Sequence, residues 1–288
     1  MPDDKPTKRP ITGPAPRWAG FVLDRPHVMG ILNVTADSFS DAGCYLTAEA
    51  AVEAGRAMAG AGADIIDVGG ESTRPGASET PPAIEQARVI PVIRALAETG
   101  CVVSVDTRHA ATMAAALDAG ARIVNDVSGL AHDPASAPLV AARGCPVVLM
   151  HMRGTPATMA SLARYADVVS EVASELSGLV AAALAAGIRR ELIVLDPGFG
   201  FAKNPAQSVA LLRDLPRLRA LGFPLLAGLS RKGVIGALSG EREPAQRTPG
   251  SLAAGLWAVA NGASILRVHD VAETVQALRV WHAIETAL

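Results

Sequence analysis

Aromatic residues make up only 3% of the 288 residues. A core of stacked rings is therefore excluded, and packing falls to Ala, Val, Leu and Ile, which suits a tapered interior. Cysteine is scarce too: Cys44, Cys101 and Cys145 lie far apart, are odd in number and show no CxxC or Cys/His metal spacing. That excludes a disulfide scaffold and a cysteine-based zinc site, and a reducing cytoplasm is the expected location. Charge of one sign is also missing, with 26 Lys and Arg against 28 Asp and Glu. No long-range field marks a nucleic-acid or membrane binder, so any bound anion must be held by local groups. Uniformly apolar runs are only strand-length before Asp, Gly or Pro breaks them, and no transmembrane helix is expected. Residues 1–18 carry five prolines and no apolar signal-peptide core. Residues 1–22 read as a flexible Pro-rich tail, followed by one domain over 23–288.

What is present from His27 onward is an alternation. Short apolar runs near 27–33, 64–69, 102–106, 122–126, 146–151, 192–196, 224–230 and 263–268 predict strands. Ala- and Leu-rich segments near 47–60, 81–98, 109–119, 134–143, 167–186, 205–221, 247–261 and 271–287 predict helices, several closed by Gly62, Gly100, Gly120, Gly187 and Gly222. The strand runs, such as DIIDV and LIVLD, are apolar on both faces, as parallel strands covered on two sides must be. Eight strands and eight helices in strict alternation predict an α/β fold, a single-domain (β/α)8 barrel. An open doubly wound sheet would show similar runs, but Gly-x-Gly-x-x-Gly does not follow the first strand.

The strand ends carry the chemistry: Asn33, Asp67, Asp106, Asn125, His151, Asp196, Ser230 with Lys232, and Arg267 with His269. In a barrel these ends meet on one face, where the loops build an active site. A lone Asp or Asn there could simply cap the next helix, Arg267 could simply pair with a nearby Asp, and a lone His is more often a cap or core residue. Eight polar ends in eight strands read instead as a polar pocket. Carboxylates and carboxamides suit a flat heterocycle rich in N–H groups, and Lys232 suits a ring carbonyl or an anion. Arg267 and His269 stand where barrels often hold phosphate. Two loops of Gly, Ser, Thr and Asp, 35–43 with Phe39 and 69–76 with Arg74, have the composition of lids, although an ordinary loop with a solvated Arg has it too.

The motifs MGILNVTADSFSDAG, DVGGESTRPG, VSVDT, IVNDVSG, LDPGFGF, LSRKG, RTPGSLAA and LRVHDV, spread over about residues 27–275, resemble those of the dihydropteroate synthases in order and spacing. The resemblance implies a TIM barrel, a homodimer, and folate biosynthesis. It implies joining (7,8-dihydropterin-6-yl)methyl diphosphate to 4-aminobenzoate, with sulfonamides as mimics of the latter. Carried over, the pterin site comprises Asp106, Asn125, Met150, Asp196, Phe201 and Lys232. The diphosphate site comprises Asn33, Arg267 and His269, with Mg2+ held by Asn33. The 4-aminobenzoate site comprises Phe39, Thr73, Arg74, Pro75, Ser230 and Lys232. Asp106, Lys232, Arg267 and His269 carry catalysis in this reading, which gives Arg267 the anion rather than the pterin. Small-molecule substrates are its only partners besides a second copy. The pattern departs at Ala36, where the family usually has Pro, and at Ala42, where it often has Gly; positive φ is costly without Gly.

Two other readings stand beside it. A pterin-binding methyltransferase on the same barrel would dispense with the STRPG and SRK segments, both present here. A silent paralogue that only binds or dimerises would have no need to keep Asn33, Asp106, Asp196, Lys232 and Arg267 together.

Overall fold

The computed structural model describes residues 15–35, 47–74 and 76–287. Phe39, Pro75, Ala36, Ala42, Cys44 and the first fourteen residues lie outside them. Eight parallel strands close into a barrel: β3 (His27–Asn33), β4 (Ile65–Gly69), β5 (Val103–Asp106), β6 (Ile123–Asp126), β7 (Val147–Met150), β8 (Ile193–Asp196), β9 (Leu225–Ala227) and β10 (Ala263–Val268), with β10 pairing back to β3. Around them run α1 (Ala48–Gly60), α2 (Pro82–Glu98), α3 (Ala110–Asp118), α4 (Ser136–Arg143), α5 (Val168–Ala185), α6 (Pro205–Arg213), α7 (Leu215–Arg219), α8 (Gly233–Ser239), α9 (Thr248–Ala260) and α10 (Val271–Thr286).

Strand side chains alternate between two faces, and the alternation divides the core. Val28, Leu32, Ile66, Val68, Val103, Val105, Val124 and Leu149 face the helices in the larger apolar cluster. Met29, Ile65, Ile123, Val148, Val194, Leu226 and Ile265 form a separate cluster that fills the barrel floor. Two residues further along the same inner face the apolar floor gives way to Asp67, Asn125, Asp196 and Arg267, and Asp106 stands two beyond the buried Ser104. The floor excludes water from below, and the polar ring opens above it.

The floor is sealed by a hairpin that the sequence reading assigned to the tail. β1 (Arg17–Trp18) and β2 (Phe21–Val22) pair antiparallel across a two-residue turn. Both turn residues, Ala19 and Gly20, have positive φ, 53° and 90°, as tight hairpin turns require. Trp18 is 2% exposed, packs on the floor cluster, and donates its indole N–H to Leu192 O at 2.8 Å. Residues 17–22 therefore belong to the domain, because burying one large amphipathic ring offsets the ordering cost of a short segment.

Three further expectations change. The helix expected over 205–221 breaks at Asp214, because Pro216 has no N–H to continue the ladder. The strand expected over 224–230 stops at Ala227, the chain turns with Lys232 N–H on Leu229 O, and α8 follows. Helix α5 is long and apolar enough, by length and composition, to cross a membrane, contrary to the reading of the apolar runs. It buries Val168, Val169, Val172, Leu176, Val180 and Ala183 within the core. The five predicted glycine stops all have positive φ, and Cys101 and Cys145 are free thiols.

Candidate active site

One pocket opens at the carboxyl end of the barrel. Asn33, Asp106, Asn125, Met150, Asp196, Phe201, Ser230, Lys232, Arg267 and His269 line it, and Thr73 and Arg74 stand on its wall. Of the candidates within the described part of the chain, the strand-end residues Asp67 and His151 alone do not line it.

Arg267 organises the centre. Its Nε–H donates to Asp67 Oδ2 at 2.6 Å and its Nη2–H to Asp106 Oδ2 at 2.5 Å. Asn125 donates its amide to the same Asp67 oxygen at 2.9 Å. Asp67 is wholly buried beneath the pocket, so it orients Arg267 and Asn125 from below. A guanidinium has five N–H donors, and these two bonds leave three for a ligand. Burial pushes Asp106 up to about 7 against the pull of Arg267, with Asp67 adding to the upward push. The ion pair strengthens the guanidinium's hold on its proton despite its burial.

Asp196 accepts the N–H of Gly198 at 2.7 Å, and burial raises its carboxyl above the usual range. Gly198 sits at φ 67°, where a Cβ would come within 2.0 Å of His151 O, so only glycine allows this turn. Lys232 Nζ lies 4.0 Å from the centroid of the Phe201 ring, a cation–π contact. Burial lowers the Lys232 ammonium to about 8 although Asp196 supports its charge. Between Ser230 and Lys232 the backbone takes a left-handed turn at Arg231, φ 57°. It is held by Ser251 Oγ on Arg231 N–H, by Arg247 on Arg231 O, and by the Arg231–Asp270 ion pair. That turn is what brings both side chains to one pocket.

Ser230 Oγ accepts the backbone N–H of His269 at 3.1 Å and lies 3.0 Å from its Nδ1. Burial holds the imidazole down to about 4, so it is neutral; in the tautomer whose Nδ1 accepts the Ser230 hydroxyl, the ring proton sits on Nε2, a donor for an anion.

His151 does not join the pocket. It is one residue beyond Met150 and thus on the opposite face, where Nε2–H donates to Glu175 at 2.8 Å and Nδ1 accepts from Lys203 Nζ at 2.8 Å. Lys203 also donates to Gly198 O and Phe201 O, at 3.0 and 2.8 Å, and so fixes the loop that carries Phe201. Burial pulls its ammonium down to about 7. Lys203 was missed by the sequence reading; its signal was a Lys directly after the Gly-rich strand-end loop. Glu71 was missed as well. It holds Arg108 through two bonds of 2.9 and 3.0 Å and accepts Thr80 N–H, bracing the segment that bears Thr73 and Arg74.

Residues 29–269 match the family model described as "Pterin binding enzyme". The dihydropteroate synthase of Neisseria meningitidis serogroup B is 48% identical over 267 residues, covering 91% of this chain and 94% of that one. Among solved structures, the dihydropteroate synthase of Xanthomonas albilineans with 4-aminobenzoic acid is 51% identical, with a TM-score of 0.88, covering 93% of this chain and 97% of that one. The same organism's enzyme with 7,8-dihydropteroate is 49% identical, with a TM-score of 0.84, covering 92% and 96%. The chain belongs to the pterin-binding enzymes and, among them, to the dihydropteroate synthases, transferases of folate synthesis that join a pterin methyl diphosphate to 4-aminobenzoate.

Proposed function

We propose that this pocket carries out that condensation with the following division of labour. The pterin ring lies among Asp106, Asn125, Asp196 and Lys232, with Met150 and Phe201 against its faces. Its N–H edge meets carboxylate and carboxamide acceptors. The diphosphate points to Arg267, His269 and Asn33. Thr73, Arg74, Ser230 and Lys232, with Phe39 and Pro75, take 4-aminobenzoate. The amine nitrogen forms a bond to the pterin methylene carbon as the C–O bond breaks. Its electron pair leaves with diphosphate, and the amine proton is released to solvent.

An arylamine is a modest nucleophile, so rate comes from stabilising the departing anion and the positive charge on the pterin methylene. The free donors of Arg267 and the Nε2–H of His269 serve the anion. The carboxylates of Asp106 and Asp196 serve the pterin cation. No covalent nucleophile is required, and Lys232, surrounded by Asp196 and the Phe201 ring, acts in binding.

The charges at the pocket support a role for Mg2+. Asp67, Asp106 and Asp196 face Arg267, Lys232 and Arg74, so the protein groups nearly cancel and leave a polyanion uncompensated. The Asn33 carboxamide is the hard neutral oxygen ligand offered beside the diphosphate donors, and bound Mg2+ would supply the missing positive charge.

The observation that carries the proposal is the juxtaposition of an acceptor-rich ring site, Asp106 and Asp196, with the Arg267 and His269 donors in one pocket. Diphosphate release should require both substrates and Mg2+. Release at the same rate without 4-aminobenzoate would make the protein a hydrolase instead.

The same reading takes the protein as a cytoplasmic homodimer. Leu238, Trp257, Val280 and Ile284 expose apolar surface on the adjoining helices α8, α9 and α10, which supports an interface there. Sedimentation as a monomer at micromolar concentration would oppose it. Sulfonamides should compete with 4-aminobenzoate.

A further inference from the structure

Outside the pocket, three loops bring one carboxylate and two imidazoles together. Glu79 lies on the segment between β4 and α2, His109 caps α3 just after β5, and His132 lies between β6 and α4. Glu79 Oε1 is 3.8 Å from His109 Nε2 and 3.6 Å from His132 Nε2, and one donor atom from each residue lies within 4.8 Å of the other two. The two rings stand edge-on, with centroids 5.2 Å apart. His109 is only 5% exposed, and its Nε2 has no hydrogen-bond partner. A buried ring nitrogen without a partner costs free energy unless something occupies its lone pair.

We propose that Glu79, His109 and His132 form a binding site for a borderline divalent metal ion, Zn2+ being the reference, that ties the β4–α2 segment to the β5–α3 and β6–α4 turns. Two imidazole nitrogens and a carboxylate oxygen are the donor set such ions prefer over Mg2+ or Ca2+. Bonds of about 2.0–2.2 Å to a tetrahedral ion place donors roughly 3.4 Å apart. The two separations from Glu79, 3.6 and 3.8 Å, need to close by only a few tenths of an ångström, while the two imidazole nitrogens, within 4.8 Å of each other, come together by rotation of the partly exposed His132 ring. A fourth position stays open for water.

The local charge allows a cation. Arg108 lies nearby, 3.7 Å from Glu79 Oε2, but Glu71 holds its guanidinium through two bonds. Glu71, Glu79 and Asp133 together outweigh that single positive charge. One cost is visible. Binding through His132 Nε2 puts the ring proton on Nδ1, so the 3.4 Å contact from Arg108 Nη1 has to open. Arg108 keeps both bonds to Glu71 when it does.

The consequence reaches the active site through the backbone, because the segment that ends at Glu79 bears Thr73 and Arg74. The test is a Co2+ titration of the full chain stripped of metal, without diphosphate. One equivalent should bind, with the visible absorption of a four- or five-coordinate ion, displaced by Zn2+ and not by excess Mg2+. Glu79→Gln and His132→Gln, both at partly exposed positions, should each weaken Co2+ binding at least tenfold while circular dichroism and melting stay those of the parent. Zn2+ should slow amide exchange over residues 72–79 in the parent and not in His132→Gln. No saturable Co2+ band below millimolar metal, or equal affinity in the Glu79→Gln/His132→Gln double variant, overturns the site.

Discussion

Replacing Arg267 with Met removes the one cation that two buried carboxylates share. In the parent, Asp67 and Asp106 receive charge-assisted bonds of 2.6 and 2.5 Å from it, and Asp67 Oδ1 already lacks a partner. Removing one side of a buried ion pair typically costs about 3–5 kcal/mol, because the remaining charge stays buried and unpaired. A domain with a stability of about 5–15 kcal/mol survives that loss and remains measurable. The deficit must also depend on pH. Burial already raises Asp106 to about 7 with the guanidinium in place, and its removal raises the group further. Parent and variant both hold this proton in the folded state up to about pH 7, and above that the variant keeps it while the parent and the unfolded chain have released it. The deficit is therefore nearly constant below about pH 7 and grows above it, by up to about 1.4 kcal/mol per pH unit for one proton. Urea unfolding followed by circular dichroism at about pH 6 and about pH 8.5 reads both effects. The variant should lose about 3–5 kcal/mol at the higher pH and clearly less at the lower, and adding Asp67→Asn should recover part of the loss. A deficit under about 1 kcal/mol, or one of equal size at both pH values, refutes the assignment of Arg267 as the counter-ion of this pair. The contact to Asp106 also means that neutral pterin analogues should lose affinity in the variant along with the diphosphate substrate.

Asp196→Asn should weaken pterin binding tenfold or more by calorimetry, since its oxygen stays with Gly198 N–H and its amide points donors at a donor edge, a mismatch of about 1–3 kcal/mol; unchanged affinity would remove Asp196 from the site. Gly198→Ala should destabilise the protein by more than the roughly 1–2 kcal/mol of a left-handed L residue, because its Cβ meets His151 O at 2.0 Å, and a parent-like melting temperature would contradict that turn. Because burial brings Lys232 down to about 8, 4-aminobenzoate affinity should fall between pH 7 and 9 in the parent and much less in Lys232→Arg; equal falls would mean that another group titrates.

Much of the barrel was legible in the sequence because a parallel strand buried on both faces has to be apolar throughout, and DIIDV or LIVLD can be little else. The site was legible for the same reason. Asp67, Asp106, Asn125, Asp196 and Arg267 interrupt those runs at positions where only a polar pocket repays them. Parity along each strand separates pocket from surroundings: Asn125, Met150, Asp196 and Arg267 each stand two residues beyond a floor residue, whereas His151 stands three beyond Val148 and faces Glu175. Counting every polar strand end as pocket ignored that parity. Trp18 was illegible because its burial depends on Leu192, 174 positions away, and no local pattern announces such a contact. Helix α8 escaped because GVIGALS carries two glycines, and its place is set by packing between α6 and α9 rather than by propensity. Which carboxylates Arg267 pairs with was illegible, because a separation of 161 residues from Asp106 says nothing of closure around a barrel.

Formation of the C–N bond of dihydropteroate in this pocket can be measured directly. The direct measurement incubates purified protein with (7,8-dihydropterin-6-yl)methyl diphosphate, ring-labelled 4-aminobenzoate and Mg2+, then resolves the labelled species. Labelled 7,8-dihydropteroate should form with one diphosphate released per product, and should be lost in Asp196→Asn under subsaturating pterin. Labelled 4-aminobenzoate recovered unchanged from folded protein at saturating substrates would contradict the proposed condensation.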